Sequence, residues 1–313
     1  MQLYQTRDFN SFFQDTFTFL KQNGKHFFTN FFSISGALIL ILGLISYYVS
    51  KTYTEALIYN FTINGNNGLQ IDQFANDNLA LFILTIIGVV VLSILFWIII
   101  YAFTPIYFKL YEKHKGTNFT LNDILNVYKA NTGKFFAFLV FGFILAIPLV
   151  LLFGIVAFVL TITIVGILGI PFLVALFATL YHMTLLEMLD NKRNFWDSFG
   201  YAWRLISSKF WHAVGCIGIF YLIAYVVQLS IGFVQSIIQG VQSMTAIQQP
   251  VGLEDMSTGT IILSLVIFFV SFLVSTTLQT IIQVNQSIVY YGLKEMNENI
   301  SSDNVIDQIG SGE

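Results

Sequence analysis

Six long stretches of the sequence contain no Asp, Glu, Lys or Arg, and each approaches or exceeds the roughly 20 residues with which a helix crosses a bilayer core. Backbone groups inside a bilayer need partners within their own segment, which favours helices. Only 10% of the residues are charged, whereas about 25% is typical of soluble domains. The sequence predicts an all-α integral membrane protein, one membrane domain over residues 1–313, with spans at 31–49, 79–103, 135–160, 168–186, 210–238 and 261–289.

The basic residues lie almost entirely on one side of these spans. Thirteen of the 14 Lys and Arg residues precede span one, follow span six, or lie between spans two and three or four and five, and only Lys51 lies on the other side. Because cytoplasmic loops are enriched in Lys and Arg, we predict that both termini are cytoplasmic.

A lysine followed by aromatic residues occurs three times, in NGKHFF, TGKFFAF and SSKFWHA. An aromatic residue stands six positions before each lysine, and a phenylalanine 14 to 16 positions before it. The pattern predicts three modules, each an interfacial helix followed by two spans, at residues 8–117, 118–193 and 194–299, with a polar C-terminal tail at 300–313. The lysines are Lys25, Lys134 and Lys209.

The segment before each lysine has apolar and aromatic residues at helical spacing and polar residues between them. Such amphipathic helices are too polar to span and are typical of the headgroup layer. Lysine beside aromatics is expected where a helix passes from headgroups into hydrocarbon. The lysine–aromatic pattern therefore marks the start of each outward span. Too few basic residues are present to favour a nucleic-acid partner.

Polar side chains recur inside spans five and six at helical spacing, which places them along one face of each helix. Intramembrane polar residues are costly and suggest function. One interpretation is a hydrated ligand cavity; the other is packing by interhelical hydrogen bonds, each worth about 0.6 kcal/mol. The candidate cavity residues are Gln228, Gln235, Gln239, Ser275, Gln279, Gln283 and Gln286.

Three glutamates occupy equivalent positions at the predicted cytoplasmic end of each module: Glu112, Glu187 and Glu295. We interpret them as structural partners of the boundary lysines Lys25, Lys134 and Lys209, with a lipid-headgroup site as the alternative. The four histidines are also expected near this boundary.

No sequence motif of catalysis or cofactor binding is present. The chain lacks HExxH, GxSxG, Walker A and a GxGxxG placed before a soluble strand. The single cysteine, Cys216, lies in span five, where a buried inert thiol is expected. We therefore predict no metal and no cofactor, and the sequence does not favour enzyme activity.

The three-fold pattern, from FNSFFQDTFTFLKQNGKHFF through YEKHKGTNF and LDNKRNFW to YYGLKEMNEN, resembles a family of bacterial inner-membrane proteins. This family is similar to the membrane domain fused to some glycerophosphoryl diester phosphodiesterases. The resemblance implies the bacterial inner membrane. It implies no phosphodiesterase activity here, because that activity belongs to a separate soluble barrel and only a short polar tail follows Met296.

Two functions remain open from the sequence. The first is the handling or passage of a lipid-related or small amphipathic ligand through a cavity lined by the polar faces of the last two spans. The second is a non-enzymatic membrane scaffold that recruits partner proteins. The expected partners are membrane lipids in the first case and other membrane proteins in the second.

Overall fold

The computed structural model describes residues 1–62, 79–190, 193–248 and 258–300. Helices make up most of these ranges, which contain no strand. In chain order the helices are α1 (Phe9–Thr62), α2 (Leu79–Lys113), α3 (Leu121–Ala130), α4 (Thr132–Thr161), α5 (Ile164–Ile167), α6 (Ile170–Leu189), α7 (Phe195–Ser208), α8 (Phe210–Gln248) and α9 (Thr258–Glu298).

Six of these helices are long and apolar enough to cross a membrane: α1, α2, α4, α6, α8 and α9. The predicted all-α membrane architecture with six spans is therefore confirmed. Large apolar side chains on α4 are widely exposed, including Phe143, Val150 and Phe158. A soluble protein rarely exposes apolar surface on this scale, whereas a lipid-facing helix does.

The helix breaks differ among the three predicted modules. Around Lys25 the chain has no break, because one helix of 54 residues runs from Phe9 to Thr62. Asn131, at φ −112° and ψ 16°, separates α3 from α4, and Lys209 separates α7 from α8. The first predicted interfacial helix is thus the beginning of a spanning helix, and the threefold modules remain a prediction.

The predicted interfacial segments bury part of their apolar face against protein. Phe12 and Phe19 of α1 are fully buried, as are Leu205 and Ile206 of α7. The α7 side chain of Trp203 is about half exposed. Packing within the protein therefore holds these segments.

The chain forms two compact units. The first comprises residues 1–31, 100–226 and 277–313, and the second comprises 32–99 and 227–276. In the first unit, aromatic rings join α1 to α2: Phe19 stacks on Phe108 with centroids 4.9 Å apart, and Phe27 meets Tyr107 edge-on at 4.8 Å.

The second unit is held by close contacts of α1, α2 and α9. A Cβ at Gly43 would lie 2.7 Å from the ring of Phe269, so the glycine permits this approach of α1 and α9. Phe96 of α2 stacks on Phe272 of α9, with centroids 6.0 Å apart.

The connections between spans one and two and between spans five and six lie partly outside the described residues. Helix α1 extends through the beginning of the first connection to Thr62, and α8 extends to Gln248. Residues 63–78 and 249–257, and the polar tail from 301 to 313, are outside the described part of the chain.

Candidate functional site

Three glutamines of α9 line one buried face within the first unit. Gln283 and Gln286 are each 1% exposed, and Gln279 is partly buried. Their spacing of four and three residues places them one above another along the helix. We call Gln279, Gln283 and Gln286 the glutamine row.

The glutamine row connects α9 to two neighbouring helices. The side-chain amide of Gln286 donates to the hydroxyl of Thr179 on α6 at 3.3 Å. The amide of Gln279 donates to the hydroxyl of Tyr221 on α8 at 3.4 Å. These bonds agree with the packing interpretation for two of the three glutamines.

Gln283 differs from its two neighbours. Its side-chain oxygen Oε1 is buried and has no hydrogen-bond partner in the described part of the chain. The ring nitrogen Nδ1 of the fully buried His182 is also without a partner there. Buried polar atoms are nearly always satisfied, so these two atoms make the region around Gln283 and His182 the candidate site.

His182 contacts the same turn of α9. Its Nε2 lies 2.8 Å from the hydroxyl of Ser287, and that hydroxyl donates to the backbone carbonyl of Gln283 at 3.0 Å. His182 and Gln283 therefore both adjoin Ser287. The sequence placed His182 at the membrane boundary, and only the fold shows that it belongs beside the glutamine row.

The other predicted cavity residues are not part of the first unit, or have side chains outside the described residues. Gln228, Gln235 and Ser275 belong to the second unit. There Gln228 is exposed, Ser275 is partly buried, and Gln235 donates to Ser271 at 3.0 Å. The side chain of Gln239 lies outside the described residues.

An ion network lies at the ends of α2, α6 and α9. Glu187 of α6 is fully buried and accepts from Tyr290 at 2.5 Å and from Lys294 at 3.3 Å. It also forms an ion pair with Arg193, and the Arg193 guanidinium lies 4.0 Å from the ring centre of Tyr201. A buried carboxylate stays charged only when it is paired and hydrogen-bonded in this way.

Two further carboxylates complete the network. Asp190 accepts from Lys294 at 3.0 Å and pairs with Lys109. Lys109 also bonds Glu112 at 3.1 Å. We call this set the boundary network: Lys109, Glu112, Glu187, Asp190, Arg193 and Lys294.

The N-terminal segment joins the boundary network through tyrosine. Tyr4 donates to one carboxylate oxygen of Glu112 at 2.6 Å, and Tyr291 of α9 donates to the other at 2.9 Å. Three acidic and three basic side chains thus neutralise one another, and phenols supply the remaining bonds. The network fastens the N-terminal segment, α2, α6 and α9 together.

Charge and burial shift the ionisation of groups in and beside the network. Burial alone would raise the pKa of Asp190, but attraction to Lys109 and Lys294 lowers it below the ordinary value of a carboxyl group. Burial and the nearby charge of Glu112 raise the pKa of Tyr4. Tyr4 is therefore a hydrogen-bond donor at physiological pH.

The described partners of Glu112 and Glu187 are not the predicted Lys25, Lys134 and Lys209 but Lys109, Arg193, Lys294 and tyrosines, and the pairing of Glu295 stays a prediction. Lys134 donates to the backbone carbonyl of Met188 at 2.5 Å, where it caps the end of α6. Lys25 and Lys209 are exposed and make no ion pair with described residues. Of the glutamates, Glu295 is buried near the end of α9.

Residue spacing along α2 and α9 explains why Glu112 and Glu187 pair with these basic residues. Lys109 lies three residues before Glu112 on α2, and so shares its face. Lys294 lies four residues after Tyr290 on α9, so both reach Glu187. The spacing of Lys109 to Glu112 was visible in the sequence, whereas the approach of α6 to α9 was not.

Other buried polar groups join distant segments without suggesting catalysis. The side-chain nitrogen of Asn285 donates to Thr16 of α1 at 2.8 Å and lies 3.6 Å from the sulfur of Cys216. His26 lies 2.8 Å from the hydroxyl of Tyr107 and 3.2 Å from the carbonyl of Phe119. Across the described ranges, no group of three or more His, Cys, Asp or Glu residues is arranged to hold a metal ion.

The fold and this site define an all-α membrane protein that carries a buried polar face beside a neutralised ion network. No protein-family model, curated protein or solved structure matches the chain.

Proposed function

We propose that the protein binds a lipid-related or small amphipathic ligand at the glutamine row of α9, and holds or passes it within the membrane. The observation that carries this proposal is the buried side-chain oxygen of Gln283, which lacks a partner among the described residues. Its neighbours Gln279 and Gln286 are hydrogen-bonded to adjacent helices. A glutamine that served packing alone would be bonded in the same way.

The boundary network supports this proposal, because it favours a neutral binding site over one that binds its ligand by charge. Its three carboxylates are each paired with Lys or Arg. The network therefore serves as a frame that orients α6 and α9, and the polar part of a ligand meets neutral groups at the row. The apolar part of the ligand stays in hydrocarbon, where apolar side chains of the helices are exposed.

We further propose the bacterial inner membrane as its location, with cytoplasmic termini, in keeping with the basic residues and the family resemblance. The half-exposed indoles of Trp196 and Trp203 support an interfacial position for α7, since tryptophan is enriched at membrane surfaces. The three modules and their amphipathic helices belong to the same proposal.

Native mass spectrometry of the full chain, extracted in mild detergent, tests the ligand proposal. We expect a retained lipid or small amphipathic molecule on the wild type, and less of it on the Gln283→Leu variant. The matched control is Gln228→Leu, which makes the same change at an exposed glutamine of α8. Equal retention by wild type and Gln283→Leu would argue against the row as the site, and no retained small molecule on the wild type would reject ligand handling.

A scaffold function is the second candidate, and one observation favours it. Trp196, Trp203 and Trp211 are each about half exposed or more on α7 and the start of α8, and tryptophan is enriched in the residues that dominate protein interfaces. In the same spectra, a bound polypeptide would support the scaffold. Its loss in Trp203→Ala, with Trp97→Ala as the comparison on α2, would place the partner on α7.

A further inference from the structure

The outer face of α7 carries tryptophan at helical spacing. Trp196 and Trp203 lie seven residues apart with Gly200 between them, so the three share one face of the helix. Trp196 is 50% exposed and Trp203 is 49% exposed. Leu205 and Ile206, on the other face, are buried against protein. The two indoles therefore lie on the side of α7 that faces away from the protein core.

A third indole follows at the start of α8, where Trp211 is 80% exposed. Tryptophan combines a large apolar ring with one N–H donor, and it is enriched where one side is apolar and the other is wet. The headgroup layer of a bilayer offers both surroundings. We call Trp196, Trp203 and Trp211 the tryptophan face.

Two basic residues lie beside these indoles. Arg204 follows Trp203 directly, and Lys209 separates α7 from α8. Both are exposed, and neither forms an ion pair with a described residue. The segment 195–211 contains one acidic residue, Asp197. Two positive charges against one negative charge leave this surface with a net positive charge.

Arg204 and Lys209 thus differ from the basic residues of the boundary network. There Lys109, Arg193 and Lys294 are each paired with a carboxylate. The charges of Arg204 and Lys209 have no such internal partner among the described residues, so they are available to an external anion.

The chemistry of these two side chains suits a lipid phosphate. A guanidinium can donate two parallel hydrogen bonds to phosphate oxygens, and an ammonium binds phosphate as a point charge. The Arg204 guanidinium lies 5.5 Å from the ring centre of Tyr201, which holds it at the surface of α7. A zwitterionic headgroup would bring its own cation against Arg204 and Lys209, whereas an anionic headgroup would not.

We propose that the tryptophan face, together with Arg204 and Lys209, binds anionic phospholipid in preference to zwitterionic phospholipid. The indoles hold α7 at the depth of the headgroup layer, and the two basic side chains select the headgroup charge. This inference rests on the interfacial position proposed for α7 and names the lipid class that this surface prefers. It is independent of the ligand proposed for the glutamine row.

Quenching of tryptophan fluorescence by brominated lipid tests the inference on the full chain in vesicles. In the Trp97→Phe background, the tryptophan face holds all the remaining tryptophans. The vesicles contain phosphatidylcholine and a minor fraction of phosphatidylglycerol, with bromine near the carbonyl end of the acyl chains of one lipid or the other. We expect brominated phosphatidylglycerol to quench as strongly as a roughly fivefold larger amount of brominated phosphatidylcholine, the enrichment due to about one net basic charge at an anionic surface.

Variants in the same background assign that preference to the two basic residues. The double variant Arg204→Gln, Lys209→Gln should be quenched about equally by the two lipids at equal amounts. The matched control, Lys113→Gln with Lys129→Gln, also removes two exposed positive charges, at the ends of α2 and α3, and should keep the preference. High salt should reduce the preference, because the screening length falls from about 10 Å at 0.1 M to about 3 Å at 1 M.

The outcomes separate this inference from the interfacial position on which it rests. Equal quenching by both lipids before Arg204 and Lys209 are changed would overturn the anionic preference and leave α7 in the headgroup layer. A preference that survives their replacement, or that is lost equally in the control, would also overturn the site. Quenching by neither lipid would mean that water or a protein partner covers the tryptophan face, and would overturn both proposals.

Discussion

Tyr290 donates its phenolic hydrogen to Glu187 across 2.5 Å, and both side chains are fully buried. The two residues lie 103 positions apart in the chain, one on α9 and one on α6. Lys294 donates to both of them, at 3.0 Å to Tyr290 and 3.3 Å to Glu187. This relationship makes the boundary network a connection between the two helices that form the candidate site.

Removal of the Tyr290 hydroxyl is expected to destabilise the fold while preserving the ring's packing. Tyr290→Phe takes one of three partners from a buried carboxylate, and a hydrogen bond to a charged group is worth about 1.5–3 kcal/mol. Unfolding by denaturing detergent in mixed micelles measures the change. Tyr225→Phe is the control, because Tyr225 is partly exposed and makes no hydrogen bond with described residues; equal effects of the two variants would contradict the prediction.

Lys294→Met should weaken the protein more than loss of a surface charge does. Lys294 is 5% exposed and bonds two carboxylates. Removing one partner of a buried pair typically costs about 3–5 kcal/mol, and we expect the lower end because Glu187 retains Arg193 and Asp190 retains Lys109. The exposed Lys209→Met should change the unfolding free energy by less than about 0.5 kcal/mol.

A double variant shows whether charge burial causes the effect of Lys294→Met. Adding Glu187→Gln removes one of the carboxylates left short of a partner. The losses of unfolding free energy in Lys294→Met and in Glu187→Gln alone should therefore sum to more than the loss in the double variant. Strict additivity would mean that Lys294 acts by packing alone.

Acid should weaken the protein through Asp190. The folded-state pKa of Asp190 lies below its ordinary value of 3.8. Its stabilising contribution is therefore complete above pH 3.8 and is lost as the pH falls through the lower, folded-state value. Asp190→Asn should lose less unfolding free energy than the wild type as the pH falls over this acidic range.

Lys109→Met provides a reciprocal test of the same carboxyl group. Without the attraction of Lys109, the pKa of Asp190 rises toward its ordinary value, so the acid-induced loss attributable to Asp190 should be smaller and should be complete at a higher pH. Unfolding curves recorded from pH 6 downward, the range being about that in which carboxyl groups titrate, measure both variants. An acid profile identical to wild type in both would contradict the assignment to Asp190.

Replacement of two helical glycines by alanine should change the stability of the protein in opposite directions. A Cβ at Gly292 would lie 2.6 Å from the ring of Phe12, which is fully buried and has no room to move. Gly292→Ala is thus expected to cost about 1–3 kcal/mol through overpacking of α9 against α1.

Gly200 is the matched glycine. It is exposed on α7, and a Cβ there would meet no atom within 4 Å. Gly200→Ala should stabilise the protein by up to about 1 kcal/mol, because alanine favours helix interiors over glycine. The difference between the two variants, measured by thermal unfolding, checks the packing of α1 on α9; a similar effect at both positions would contradict it.

Several residues of the candidate site could be predicted individually, but their grouping into one site could not. The spacing of Gln279, Gln283 and Gln286 predicted a shared face, which the structure shows to be buried. The same reasoning added Gln228, which is exposed on α8. Helical spacing identifies a face but does not say whether that face meets protein or lipid, because both surroundings are apolar.

The sequence by itself determined the all-α membrane class and the six spans, because a chain in hydrocarbon must satisfy its backbone within each helix. The tertiary structure alone decided which side chains meet. Lys294 rather than Lys134 reaches Glu187, and His182 lies against Ser287, 105 positions away. Such pairings depend on which helices pack together and on how each helix is rotated about its axis. The periodicity of a single helix determines neither its neighbours nor its rotation.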